Sequence, residues 1–564
     1  MSNIGKRLFA RAIISSILIA LIFSLSQCTP NHNRNFPVSS APEQDYYEDI
    51  VVPPVTEQTE SNLDIKIPNP QIMEVPDEEE MFFDCDILYE EVHLTEEFNT
   101  EEYNLIVEND FKSVWNEPLS TFSIDVDKAS YSNIRRYLSY HQMPPKDAVR
   151  LEEMINYFTY EYPQPEGRHP FSVTTEIKEC AWNNENKLVQ IGIQGKSLNY
   201  DDIQPGNYVF LIDVSGSMDE PDKLPLVKKS MNIMLENLHP DDKIAIVVYA
   251  GAAGVVLPST SVKEKVIINK AIGRLSAGGS TAGGEGIQLA YKIASENYIA
   301  GGNNRIILAT DGDFNVGVSS TSELIRMVEE KRKDGIFLTI CGYGMGNYKD
   351  GRLEEISAAG NGVYFYIDHI REAEKVFSRD LRANLFTIAK DVKIQVEFNP
   401  LKVHSYRLIG YENRMMNRDD FDNDEKDAGE LGAGHSVTAL YEIVPANDQN
   451  LKASNLRYQA PEATTKAASE EWMTLKLRYK PIDKEESILI ENQLFYSNET
   501  ASCSMLFTEA VAGFGMLLRD SKYKGDLTYD KLIASLKEIE NNEDQEKWEL
   551  IKLVETASLL SNQN

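Results

Sequence analysis

The sequence is poor in the side chains that carry most enzymatic chemistry. It holds eight His and five Cys in 564 residues, and neither type clusters at metal-ligand or disulfide spacing. It contains no His-Glu-x-x-His, no phosphate-binding loop and no tandem repeat. Positive charge is scarce too: 56 Lys and Arg stand against 89 Asp and Glu, a net of −33. Nucleic acid is thereby excluded as a partner, because phosphate binding needs clustered Lys and Arg. Gly342-Tyr-Gly344-Met-Gly346 lacks the third glycine of a dinucleotide loop, Asn347 standing in its place. Asp420, Asp422 and Asp424 lack the central glycine and closing glutamate of a calcium loop. Both stretches are read as ordinary loops.

What the chain has in excess is acid, unevenly placed. Between Glu43 and Asp110 stand 22 Asp and Glu against Lys66 alone, a net of −21 out of −33. Residues 29–102 are rich in Pro, Asn, Ser and acid without a sustained apolar period, the composition of a solvated, disordered tether. A partner-binding tail is the functional alternative. Ahead of it, Lys6, Arg7 and Arg11 precede an apolar run over residues 12–25 that closes at Cys28. The run is short for a spanning helix, and residues 1–28 are expected to be a signal peptide. Cys28 resembles the lipidated cysteine of bacterial lipoproteins, with Gln27 where that motif usually has a small residue. An uncleaved anchor is the alternative, and in both cases the remainder is expected outside the cytoplasm. Cys85, Cys180, Cys341 and Cys503 are expected to form no structural disulfide.

Residues 103–204 open with a strand-like run over 121–127. Helical spacing follows through Tyr131, Ile134, Tyr137 and Leu138, and resumes after Pro144-Pro145. Asp125 and Asp127 are read as a turn carboxylate and a helix N-cap, with metal ligation as the alternative. Over residues 205–385, short apolar runs alternate with helical stretches. This specifies an α/β fold, a doubly wound, mostly parallel sheet covered on both faces. Residues 386–480 return to strand-like runs, which are expected to pair with those at 171–177 and 187–193. The α/β unit would then be inserted between β-rich flanks. Residues 481–564 are expected to be a helical C-terminal region.

Parallel sheets bind ligands beyond the carboxyl ends of their strands. There the sequence places Asp213-Val-Ser215-Gly-Ser217, then Gly278-Gly-Ser-Thr281, then Thr310-Asp311-Gly-Asp313. Two carboxylates and three hydroxyls converge on one edge. All are hard oxygen donors, which suits Mg²⁺ or Mn²⁺ and argues against zinc or copper. Asp213 and Asp311 neutralise a divalent ion, while Ser215, Ser217 and Thr281 add donors without charge. The ion keeps affinity for a further anionic oxygen, and an Asp or Glu carboxylate of another protein is the natural source. No His stands near Ser215 or Ser217 to make a nucleophile, so neither an enzyme nor a small-molecule substrate is expected.

Asp213, Ser215, Ser217, Thr281 and Asp311 match the metal-ion-dependent adhesion site of von Willebrand factor A domains. More widely, Phe122-Ser-Ile-Asp-Val-Asp-Lys-Ala-Ser-Tyr131, Asp311-Gly-Asp-Phe-Asn-Val-Gly317 and Ala510-Val-Ala-Gly-Phe-Gly-Met516 resemble a YfbK-like group of bacterial lipoproteins. The resemblance spans about residues 103–564. It implies a von Willebrand A domain at 205–385 between an associated N-terminal domain, 103–204, and the group's own C-terminal domain. It also implies a lipid anchor at Cys28 in the bacterial envelope, with Thr29 fitting the outer membrane; periplasmic and surface-facing placements both stay open. The implied function is docking of protein partners through the metal. An accessory or assembly subunit of an envelope enzyme or transport complex is the alternative.

Overall fold

The computed structural model describes residues 100–198, 204–279, 283–312, 321–346, 348–447, 462–496, 500–539 and 544–563. Cys28, Cys85 and Thr281 lie outside the described residues. The strands are β1 Lys112–Ser113, β2 Leu119–Ser123, β3 Phe171–Cys180, β4 Asn183–Gly195, β5 Gly206–Asp213, β6 Lys243–Tyr249, β7 Ala253–Ser261 and β8 Asn303–Thr310. They continue with β9 Ile336–Tyr343, β10 Tyr364–Ile367, β11 Thr387–Phe398, β12 Val403–Ile409, β13 Gly429–Gly432, β14 Ser436–Pro445, β15 Glu471–Lys480 and β16 Ile488–Phe495.

The α/β unit is a sheet of order β10-β9-β8-β5-β6-β7. Its strands are parallel except β7, which runs antiparallel to β6 along one edge. Every residue of β5 and of β8 is buried, as a sheet covered on both faces requires. Successive side chains of β5 go to opposite cores. Phe210 and Ile212 pack on Val227, Met231 and Met234 of the helix Leu224–Asn237. Val209 and Leu211 pack on Ile287, Ala290 and Ala294 of the helix Gly283–Glu296. The doubly wound architecture is therefore the one the apolar runs specify.

The flanks share two antiparallel sheets, β1-β12-β14-β4-β3 and β13-β11-β15-β16, with β2 also on β11. β4 precedes the α/β unit and β14 follows it, yet they pair in register from Ser436 opposite Gln194 to Ile443 opposite Lys187. The two sheets enclose one core that includes Phe122, Ile191, Val396, Tyr441 and Leu475. A further core joins the helices Ala129–Ser139 and Leu151–Tyr157 to Cys503–Arg519, Tyr529–Ile539 and Gln545–Ser561. Tyr131, Phe158, Phe507, Phe514 and Val554 lie in it. Residues 103–204 thus do not stand apart: they close their cores with strands and helices from beyond residue 386. Among the described residues no helix is long and apolar enough to cross a membrane. Cys180, Cys341 and Cys503 are free thiols.

Three expectations are corrected. Segment 481–564 is helical from Cys503 onward as expected, but β16 lies ahead of those helices and pairs with β15 from Phe495 opposite Glu471 to Ile488 opposite Tyr479. Alternate residues of β16 are exposed, and a half-covered edge strand of mixed polarity carries little apolar periodicity to read. The last residues of the expected tether belong to the folded body. There the Thr100 and Glu102 amides donate to the Gly346 and Tyr348 carbonyls at 2.9 and 3.0 Å. Asp127 does not cap the helix Ala129–Ser139, whose N-cap is Lys128 without a side-chain bond. Its Oδ1 accepts the Tyr364 amide at 2.7 Å, and Glu153 Oε2 takes the Ser130 amide at 2.8 Å.

Asp125 is the turn carboxylate expected, accepting the Asp127 amide at 2.9 Å. Asp125, Asp127 and Glu153 bring carboxylate oxygens within 4.8 Å of one another. Arginines occupy that cluster. Arg414 donates to Asp125 at 2.8 Å and to Asp127 at 3.0 Å, and Arg150 bridges Glu153 and Asp350. Through Tyr364 and Asp350 this buried ion network ties the α/β unit to its flanks.

Candidate metal centre

β5 ends at Asp213, whose Oδ1 accepts the Ser215 amide at 2.8 Å and turns the chain across the sheet edge. The Ser215 and Ser217 hydroxyls then come within 3.0 Å of each other, over a 3₁₀ turn at Gly216–Asp219. The glycine loop is laced to this turn. Gly278 donates its amide to the Val214 carbonyl at 2.7 Å, and Gly216 donates to the Gly279 carbonyl at 3.1 Å. Gly279 sits at φ +97°, a conformation open to glycine at little steric cost. Asp311 follows β8, the parallel neighbour of β5, with Ile212 beside Ala309 in the register. Adjacent strand ends therefore place both carboxylates at one point of the edge. Thr281, two residues beyond Gly279, is the member of the expected set that lies outside the described residues.

Asp213 and Asp311 are both fully buried, at 0% exposure. Asp213 Oδ2 and Asp311 Oδ1 are buried without a hydrogen bond of good geometry to a described residue, although the Tyr249 hydroxyl faces the Asp213 carboxylate. A buried acceptor left without a donor costs about 1–3 kcal/mol, more when charged. Burial, and after it the neighbouring Asp311 charge, push the Asp213 carboxyl up to about 6 against the hydrogen bonds from Ser215. Two desolvated carboxylate oxygens beside two hydroxyls, with no nitrogen or sulfur donor, make an oxygen-only set that fits a small hard divalent cation.

Lys223 escaped the sequence reading. Its ammonium donates to Asp311 Oδ2 at 3.0 Å and to the Ser217 carbonyl at 2.9 Å, and its side chain is 9% exposed. A lysine at the start of a helix ordinarily points to solvent, so nothing in its spacing singles it out. Gly344 makes room for it: at φ +71° and without a Cβ, it lies against the Lys223 stem, where a Cβ would collide. This accounts for Gly344 without a dinucleotide. The Asp420 to Asp424 loop is spent on structure, Asp422 pairing with Arg478 and Asp424 accepting from Ser487.

Three family models match the chain. One, described as von Willebrand factor type A domain, covers residues 207–379. One described as von Willebrand factor covers 97–190, and one described as the C-terminal part of "Uncharacterized protein YfbK" covers 383–560. The Escherichia coli (strain K12) protein of that name is 40% identical over 467 residues, 81% of this chain and 81% of its own. "Uncharacterized protein sll0103" of Synechocystis is 30% identical over 196 residues, 34% of this chain and 44% of its own. Among solved structures, a "von Willebrand factor type A" from Catenulispora acidiphila shares 18% identity. The match covers 67% of this chain and 87% of that one, with a TM-score of 0.37.

Proposed function

This chain belongs to the YfbK family of von Willebrand factor A proteins, and from that premise we propose that it docks protein partners through a divalent cation at the edge of its α/β sheet. Asp213, Ser215, Ser217 and Asp311, together with Thr281, would hold the ion. The observation that carries the reading is the pair of buried oxygens, Asp213 Oδ2 and Asp311 Oδ1, that lack a hydrogen bond of good geometry to any described residue. When bound, Mg²⁺ or Mn²⁺ supplies an electrophilic centre for one further carboxylate oxygen, from an Asp or Glu side chain of the partner. The chain's own groups position and desolvate, and both carboxylates of the site are taken up as ligands to the ion, which favours docking over catalysis.

On the same reading, Cys28 carries the lipid that fixes the protein to the bacterial envelope, and the acidic segment before residue 100 serves as the tether. The test is Mg²⁺-dependent thermal stabilisation of the native chain and of a Ser215→Ala, Ser217→Ala double variant. A ligand at a hundred times its Kd stabilises by about 2.7 kcal/mol. The double variant is expected to lose most of that gain, and an equal gain in both proteins overturns the ligand assignment. Capture of partners from envelope extracts, with and without EDTA, then separates docking through the metal from docking elsewhere on the surface.

A further inference from the structure

Lys223 is the one described cation within hydrogen-bond reach of the two site carboxylates, at 3.0 Å from Asp311 Oδ2. It is held there rather than resting there. Its stem lies on Gly344, its ammonium also binds the Ser217 carbonyl at 2.9 Å, and its side chain is 9% exposed. We propose that Lys223 is a built-in counter-cation of the metal centre, set to compete with the divalent ion for Asp311 and so to weaken metal binding. The proposal rests on the docking reading above.

The physical consequence is a matter of charge. Two carboxylates alone give the site −2, which a divalent ion cancels. With the Lys223 ammonium on Asp311 Oδ2 the site carries −1, and the loaded centre keeps a positive excess for an incoming carboxylate. Like charges a few ångströms apart in a partly desolvated site repel strongly, so the lysine exchanges metal affinity for attraction toward the partner. Without the ion, it limits the cost of burying Asp311 as a charge.

The experiment uses the full chain as wild type, Lys223→Met and Lys223→Arg, titrated with Mn²⁺ alone by calorimetry. Thermal unfolding is recorded in EDTA and in saturating Mn²⁺. Lys223→Met, which keeps the stem and removes the charge, is expected to bind Mn²⁺ about tenfold tighter or more. It should melt below wild type in EDTA and recover that deficit in Mn²⁺, while Lys223→Arg restores wild-type behaviour. A packing role alone would lower the melting temperature equally in both conditions. If wild type binds Mn²⁺ and Lys223→Met binds it no tighter, the counter-cation proposal is overturned while the metal reading stands. Binding by Lys223→Met but not by wild type supports the proposal in its strongest form. No binding by any of the three overturns the metal reading and this inference together. Lys223→Gln carries the same comparison if Lys223→Met fails to fold.

Discussion

Replacing Asp213 by Asn removes a charge that the fold holds at a cost, and the sign of the effect is unusual for a fully buried carboxylate. Burial raises this carboxyl from 3.8 to about 6, so between those values the folded chain binds a proton that the unfolded chain has lost. Stability without metal therefore falls as pH rises through that window and levels off above it. From the shift itself, the destabilisation from Asp213 amounts to about 1.5 kcal/mol at pH 5 and about 3 kcal/mol above pH 7. In EDTA, Asp213→Asn is accordingly expected to be more stable than wild type at pH 7.5, with the advantage roughly halved at pH 5. For a unit of this size that is a rise of about 6 °C or more in melting temperature at pH 7.5, readable by calorimetry on the α/β transition. In saturating Mn²⁺ the advantage should vanish or reverse, because only wild type gains from the ion. An Asp213→Asn protein that is less stable than wild type in EDTA at pH 7.5, or whose advantage does not change with pH, would refute the claim that burial of this carboxylate outweighs its hydrogen bonds.

Arg414→Met should cost about 3–5 kcal/mol in denaturant unfolding. It strands Asp125 and Asp127, whose carboxylates lie 2.8 and 3.0 Å from the guanidinium; a loss below about 1 kcal/mol means the network is not what joins the α/β unit to its flanks. Burial raises the Glu101 carboxyl, but the hydrogen bonds and charge of Arg136, with Tyr137 and the Gly346 amide, hold it down at about 2. Its contribution is therefore present above pH 4.5 and lost as pH falls toward 2. Glu101→Gln should be less stable than wild type by about 2 kcal/mol at pH 7, and the gap should narrow steadily on acidification below pH 4.5. A gap independent of pH would mean that the contribution of Glu101 is steric. Gly344→Ala combines a left-handed backbone at φ +71° with a collision against Lys223. It should cost about 1–3 kcal/mol in EDTA, and it should tighten Mn²⁺ binding as the lysine is dislodged; a neutral substitution would mean that Lys223 has other room.

Much of this protein is decided locally. The runs that became β5, β6, β8 and β9 are continuous and apolar because each strand is buried on both faces, so hydrophobicity alone identifies them and their alternation with helices fixes the class. The same logic finds Asp213, Ser215, Ser217 and Asp311, since a parallel sheet can present ligands only where its strands end. What the chain could not declare was any relation whose partners are far apart in sequence. β4 meets β14 across an inserted domain, with Lys187 opposite Ile443. Asp127 gives up the helix it precedes because the Tyr364 amide and the Arg414 guanidinium, both more than two hundred residues away, compete for its carboxylate. Lys223 reads as a solvent-facing helix start until the loop after β9 brings Gly344 beneath it and Asp311 in front of it. The oxygens proposed to hold a metal follow from residue type and strand order, which are written along the chain. The charge they act with depends on which distant cation the folded packing delivers to them, and burial gives that one contact its weight.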